Sequence, residues 1–80
     1  MNTIHIYTKP RCPQCKMTQV RFGDQDNIIL HDTSVPEIRE VLLTKYPTVK
    51  AMPFVIVEDS LGEYVDSWAG FRPEKVDQYK

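Results

Sequence analysis

The sequence is short of long apolar runs, of any excess of one charge, of glycine and of cysteine, and each shortage excludes something. Its longest uninterrupted apolar stretch is Phe54-Val55-Ile56-Val57, whereas a bilayer-spanning helix needs about 20 residues. The amino terminus lacks a basic stretch followed by an apolar core, so no secretory leader is expected and the chain reads as cytoplasmic, with no membrane partner. Ten Lys and Arg against eleven Asp and Glu leave a formal charge of -1. That balance offers no field for gripping a phosphate backbone, and nucleic acid is not an expected partner. Three glycines and the absence of any low-complexity tract leave no linker, so residues 1–80 read as a single small domain. A domain of this size buries roughly 60 to 65% of its unfolded surface and has no room to enclose a large cofactor beside a core, so none is expected. No obvious interface is visible, and a monomer is expected. Two cysteines are too few and too close for a disulfide scaffold.

What is present is a regular alternation of elements. Thr3-Ile4-His5-Ile6-Tyr7 alternates polar and apolar residues up to Lys9-Pro10, which predicts a first strand. Pro13 suits the first position of a helix, the residue before a proline is pushed out of the α region, and Cys12 becomes the natural N-cap of a helix stopping near Gly23. On it Cys15, Thr18 and Phe22 share a face, while Met17 and Val20 point elsewhere. Asn27-Ile28-Ile29-Leu30-His31 reads as a second strand, completing a βαβ unit. Ser34-Val35-Pro36-Glu37 has capping-box spacing and opens a helix with a stripe of Val35, Ile38, Leu42 and Tyr46, ending by Tyr46-Pro47. Phe54 to Val57 reads as a strand covered on both faces, and Asp59-Ser60-Leu61-Gly62 supplies a turn to a last strand, Glu63-Tyr64-Val65-Asp66. Pro73 starts a final short helix in which Val76 and Tyr79 pack on the sheet. The predicted order is βαβαββα.

The chemistry concentrates at Cys12-Pro13-Gln14-Cys15. A thiol at a helix N-terminus lies beside unpaired N–H groups and the positive end of the helix dipole, which favour the thiolate, so Cys12 is the expected nucleophile. Cys15, one turn on, is placed to attack a mixed disulfide formed at Cys12 and release the partner as a thiol. Lys9 and Arg11 add positive charge ahead of Cys12, favouring the thiolate further and attracting acidic partners. A purely structural disulfide closing so small a ring would contribute only about 2 kcal/mol. A zinc site would need four ligands, and only His5 and His31 could join the thiols, without finger spacing. No metal is expected, and a C-x-x-C at a strand-to-helix junction in a βαβ unit is a specific redox signal.

Three other features are less decided by residues alone. Met52-Pro53, just before the buried strand, is either a cis turn or an ordinary trans strand start. Trp68-Ala69-Gly70-Phe71 follows the predicted last strand, as core filler or an exposed docking patch in equal measure. His5 and His31 read as polar strand residues without a catalytic role.

Taken together, Tyr7-Thr8-Lys9-Pro10 leading into Cys12-Pro13-Gln14-Cys15, Met52-Pro53 before Phe54-Val55-Ile56-Val57, and Trp68-Ala69-Gly70-Phe71-Arg72-Pro73 resemble the NrdH-type redoxins, glutaredoxin-like proteins of thioredoxin fold. The resemblance spans essentially the whole chain, and its carboxy-terminal segment is the most specific part. In that family the segment usually reads Trp-Ser-Gly-Phe-Arg-Pro, so Ala69 is a departure. Pro13 is closer to ordinary glutaredoxins, and Gln14 is typical of the NrdH group. The resemblance implies a mixed four-stranded sheet with helices on both faces and a cis bond before Pro53 facing the cysteines. It also implies a docking surface where Trp68 and Phe71 flank Met52 and Pro53, with Gly70 and Arg72 beside them and Lys9, Arg11, Pro13 and Gln14 across from them. It implies a dithiol carrier reduced by thioredoxin reductase and donating electrons to the large subunit of class Ib ribonucleotide reductase. The Gly-Gly-Asp with which glutaredoxins grip glutathione is replaced by Ala69-Gly70-Phe71, so glutathione is expected to be a poor reductant. The alternatives are a glutathione-dependent glutaredoxin and a non-catalytic module that binds zinc or a partner protein. Trp68, as part of a docking patch, is expected to be partly exposed.

Overall fold

The computed structural model describes residues 1–80. Its elements follow the order β1 (Thr3–Thr8), α1 (Pro13–Phe22), β2 (Ile28–Asp32), α2 (Pro36–Lys45), β3 (Phe54–Glu58), β4 (Tyr64–Ala69) and α3 (Pro73–Tyr79). The four strands form one mixed sheet in the order β2-β1-β3-β4. β1 and β2 are parallel, as a crossover through a helix requires. β3 runs antiparallel to both β1 and β4.

β3 lies inside the sheet, and its unbroken apolar sequence follows from being covered on both faces. Val55 and Val57 point to one side, where they join Ile4, Ile6 and Trp68 from the sheet, Phe22 from α1 and Val76 from α3. Phe54 and Ile56 point to the other, where Leu42 of α2 covers them with Tyr46 and Tyr7 at the margin. Burying each such aliphatic side chain stabilises the fold by roughly 1.5–3 kcal/mol. α1 turns Cys15, Thr18 and Phe22 inward and leaves Met17 and Val20 exposed, as the face assignment predicts. α1 and α3 are tied together by a two-pronged pair in which Arg21 Nε and Nη2 donate to the Asp77 carboxylate at 2.9 and 2.6 Å.

Two sequence expectations are corrected. The capping box of α2 does not form: Val35 is the N-cap and makes no side-chain cap bond. Ser34 instead donates its backbone N–H to Asp32 Oδ1 at 2.9 Å, a local turn that competes with capping. Val35 is consequently exposed and only Leu42 of the predicted stripe is fully buried. The last strand runs on to Ala69 rather than ending at Asp66, because the pairing of Val55 with Trp68 and Phe54 with Ala69 extends the ladder. β1 and the Phe54 end of β3 bring the redox motif and Met52-Pro53 to the same end of the sheet.

Candidate active site

β1 ends at Thr8, and a turn at Pro10-Arg11 lifts the chain into α1. Arg11 takes φ 57°, a left-handed conformation unusual for a residue with a side chain. Cys12 follows as the N-cap, extended at φ -116° and ψ 96°, with Pro13 opening the helix. The backbone N–H of Cys15 donates to Cys12 Sγ at 3.2 Å. A donor aimed at the sulfur from a helix N-terminus stabilises a thiolate there. The two cysteines form a disulfide with their Cα atoms 5.2 Å apart. They differ in access: Cys15 is 2% exposed, whereas Cys12 is half-buried at the surface.

Two further segments close around this sulfur. The Met52-Pro53 peptide is cis, and Met52 O lies 3.6 Å from Cys12 Sγ. Gly70, at φ 82°, donates its N–H to Pro53 O at 2.8 Å. Phe71 N–H then reaches Gln14 Oε1 at 3.2 Å. Glycine is needed at position 70 for its positive φ. Cys12, Gln14, Met52, Pro53, Gly70 and Phe71 therefore meet at one end of the sheet. Lys9 and Arg11 are exposed beside them, Pro13 is exposed at the helix start, and Arg72 lies at the edge, where its Nε pairs with Glu74 Oε1 at 3.1 Å.

Trp68 is not part of that surface, and the expectation that it is partly exposed is corrected. It is 4% exposed and belongs to the core under α3. The reason is the longer strand: with Val55 as its partner, Trp68 points to the face where Ile6 and Val76 lie. Its ring stacks on Tyr79 at 5.9 Å between centroids, and Lys75 Nζ sits 5.8 Å from the ring centre. Lys75 Nζ and Tyr79 Oη both donate to Asp66 Oδ2, at 2.6 and 2.9 Å, and the lysine in particular holds the Asp66 carboxyl below its ordinary range. The aromatic segment is thus divided, with Trp68 facing inward and Phe71 at the surface.

His5 and His31, expected as separate polar strand residues, meet in a cluster. His5 Nδ1 and His31 Nε2 are 2.9 Å apart, and His5 Nε2 is 2.9 Å from Glu58 Oε1. Tyr7 stacks on His31 with ring centroids 4.4 Å apart. Burial, with a lesser effect from His5, pulls the His31 pKa below its ordinary value. The alternation in β1 places His5 and Tyr7 on one face, but only the register with β2, which pairs Tyr7 with His31, brings the second histidine to them. The two histidines meet each other and His5 alone meets Glu58, and no group of three His, Cys, Asp or Glu side chains is placed to hold a metal ion. No helix is long and apolar enough to cross a membrane.

Comparison with solved structures places this arrangement. NrdH-redoxin from Escherichia coli, a glutaredoxin-like protein with a thioredoxin-like activity profile, matches with a TM-score of 0.74 and 29% identity over 98% of this chain and 95% of that one. The chain has the thioredoxin fold. The chain is similar at the same identity to a thioredoxin-like protein, with a TM-score of 0.62 over 95% of this chain and 97% of that one. Schistosoma mansoni thioredoxin shares the fold at a TM-score of 0.72 and 22% identity, over 96% of this chain and 73% of its own. No protein-family model and no curated protein matches the chain. The resemblance to NrdH-type redoxins drawn from the motifs thus extends to the three-dimensional structure, in which Cys12 and Cys15 form a disulfide.

Proposed function

We propose that the redoxin is a dithiol electron carrier that takes electrons from a thioredoxin reductase and delivers them to the large subunit of class Ib ribonucleotide reductase. The observation that carries this reading is the asymmetry of the cysteine pair: an accessible Cys12 sulfur under the Cys15 N–H, and a buried Cys15 one turn behind it. In the forward step the Cys12 thiolate attacks one sulfur of the target disulfide, and the other leaves as a thiolate that takes a proton from water. Cys15 loses its proton and attacks Cys12 Sγ, the mixed disulfide breaks, and the second target sulfur leaves as a thiolate that takes up the proton Cys15 released. Two electrons and two protons have then passed to the target, and the Cys12–Cys15 disulfide remains. A flavin-dependent reductase supplied by NADPH restores the dithiol.

Around the sulfur, the carbonyl of Met52 and the backbone beside Pro53 offer pairing groups to an extended target segment, with Phe71 covering it. Lys9, Arg11, Pro13, Gln14, Gly70 and Arg72 frame that position. The similarity to NrdH-redoxin and the replacement of the glutathione-gripping Gly-Gly-Asp by Ala69-Gly70-Phe71 favour this reading over a glutathione-dependent glutaredoxin. The protein is expected to act as a cytoplasmic monomer. To test the acceptor, the redoxin is reduced with dithiothreitol, desalted and mixed with oxidised ribonucleotide reductase large subunit, and thiols are counted on each. One disulfide formed here for each one opened there is the expected result. No transfer at micromolar concentrations of both would remove this acceptor.

A further inference from the structure

A groove of about 550 Å³ opens next to the candidate active site, between the Lys9-Pro10 turn, the Arg39 and Leu43 face of α2 and the segment ending at Met52. Its floor is apolar, formed by Leu43, Val49 and Met52, and its rim carries Lys9, Arg39 and Lys50. No carboxylate lines it. None of the three cations takes part in an ion pair anywhere in the molecule. Asp32, close by in sequence, is turned toward the backbone N–H of Ser34 and is not among the lining residues. Because the whole chain carries a formal charge of -1, this concentration of positive charge runs against its composition. Asp24, Asp26, Asp59 and Glu63 lie in loops at the opposite end of the sheet. Like charges gathered around one cleft repel one another and focus a field that an anionic chain would neutralise. The groove ends at Met52, whose carbonyl is 3.6 Å from Cys12 Sγ.

We propose that this groove holds an acidic, extended segment of the disulfide-bearing protein target, with its carboxylates against Lys9, Arg39 and Lys50 while a target sulfur meets Cys12. The assignment rests on the disulfide-exchange reading above and adds the class of sequence that reading leaves open. A target cysteine seated at Cys12 sends its flanking residues along the groove, where an apolar side chain rests on Leu43 and Val49 and acidic ones reach the rim. Charge of this kind raises association rates about tenfold or more at low salt and loses the advantage as salt rises.

The test separates binding from chemistry. The isotopically labelled redoxin is titrated with a cysteine-free peptide rich in Asp and Glu and with the same peptide carrying Asn and Gln instead, and backbone amide shifts are followed. The acidic peptide should bind about tenfold more tightly at low salt, with shifts centred on Lys9, Arg39, Lys50 and Met52, and the Arg39→Glu, Lys50→Glu double variant should lose that preference while its amide spectrum stays folded. Equal affinity for the two peptides would overturn the proposal, as would shifts at these residues from glutathione and none from the acidic peptide. A second pair of peptides, acidic and neutral but each carrying a disulfide, is then offered to the dithiothreitol-reduced redoxin in a single turnover. Acidic binding without reduction of either peptide would leave the groove in place and defeat the exchange reading instead.

Discussion

Gln14, in the middle of the cysteine motif, accepts the backbone N–H of Phe71 through its side-chain oxygen at 3.2 Å. One hydrogen bond thus links two motifs separated by most of the chain, and it sets where the Gly70-Phe71 loop sits relative to Cys12. The Gln14→Ala variant should free that loop at little cost to the fold, well under about 1.5 kcal/mol for an exposed bond. Amide hydrogen exchange at Phe71 should accelerate while that of Val55 is unchanged, and turnover should fall more with a protein disulfide than with a small one. An unchanged exchange rate at Phe71 would remove Gln14 from this positioning role.

The two cysteines should separate by function as they separate by burial. Cys12→Ser should abolish disulfide reduction, because the remaining sulfur at Cys15 is 2% exposed. Cys15→Ser should still attack and then stall as a mixed disulfide, which mass spectrometry detects as the added mass of the target thiol. Faster alkylation at Cys15 than at Cys12 in the reduced protein at neutral pH would reverse the assignment.

Trp68 should behave as core. Replacing it by Ala removes a side chain packed between the sheet and α3 and should destabilise by about 3–5 kcal/mol, a large share of what a domain of this size possesses. The melting temperature should drop by more than about 12 °C. Trp68→Phe should retain most of the stability and, with it, activity on protein and small disulfides alike. A Trp68→Ala variant with unchanged melting temperature and a selective loss on protein targets would restore the docking role expected from the sequence.

The elements were readable where the chain's ends of helices carry their own chemistry. Pro13, Pro36 and Pro73 each open a helix, and Gly23 closes one, so the order βαβαββα and the cap at Cys12 followed from local rules. What local rules missed depended on partners distant in sequence. The extension of β4 to Ala69 comes from β3, and with it comes the inward turn of Trp68. The meeting of His5 with His31 and Glu58 needs three strands in register, and the convergence of Lys9, Arg39 and Lys50 needs a turn, a helix and a loop. Neither grouping leaves a spacing that a sequence pattern could reveal. The capping box failed for a local reason, since Asp32 offers Ser34 a competing acceptor.

The histidine cluster should make stability depend on pH above the carboxylate range. His31 has a folded pKa lowered by burial and by His5, so the folded state binds its proton less readily than the unfolded chain does. Stability is then fully present above the ordinary histidine pKa of about 6.5 and is lost as pH falls from there through the lower folded value. The His31 ring faces His5 on β1, whose other nitrogen pairs with Glu58 on β3, and the ring of Tyr7. Urea midpoints at pH 7.5 and 5.5 should differ for the natural protein and differ less for His31→Gln. An equal difference in both would place the dependence elsewhere.

Arg11 adopts a left-handed backbone, and a residue with a Cβ is disfavoured there by roughly 1–2 kcal/mol. Arg11→Gly and Arg11→Ala both delete the charge, so the difference between them isolates the backbone. The glycine variant should be the more stable by about 1 kcal/mol, after its greater unfolded-state freedom is set against the relieved strain. An alanine variant that is equally stable would mean the turn relaxes at no cost.

The most direct measurement is NADPH consumption with this protein as the limiting carrier and a small disulfide as acceptor, run once through thioredoxin reductase and once through glutathione with glutathione reductase. The account predicts rapid turnover through thioredoxin reductase, lost in Cys12→Ser, and slow turnover through glutathione, whose ammonium group finds no carboxylate where Ala69-Gly70-Phe71 stands in place of Gly-Gly-Asp. Faster turnover through glutathione would contradict it and make the protein a glutathione-dependent glutaredoxin.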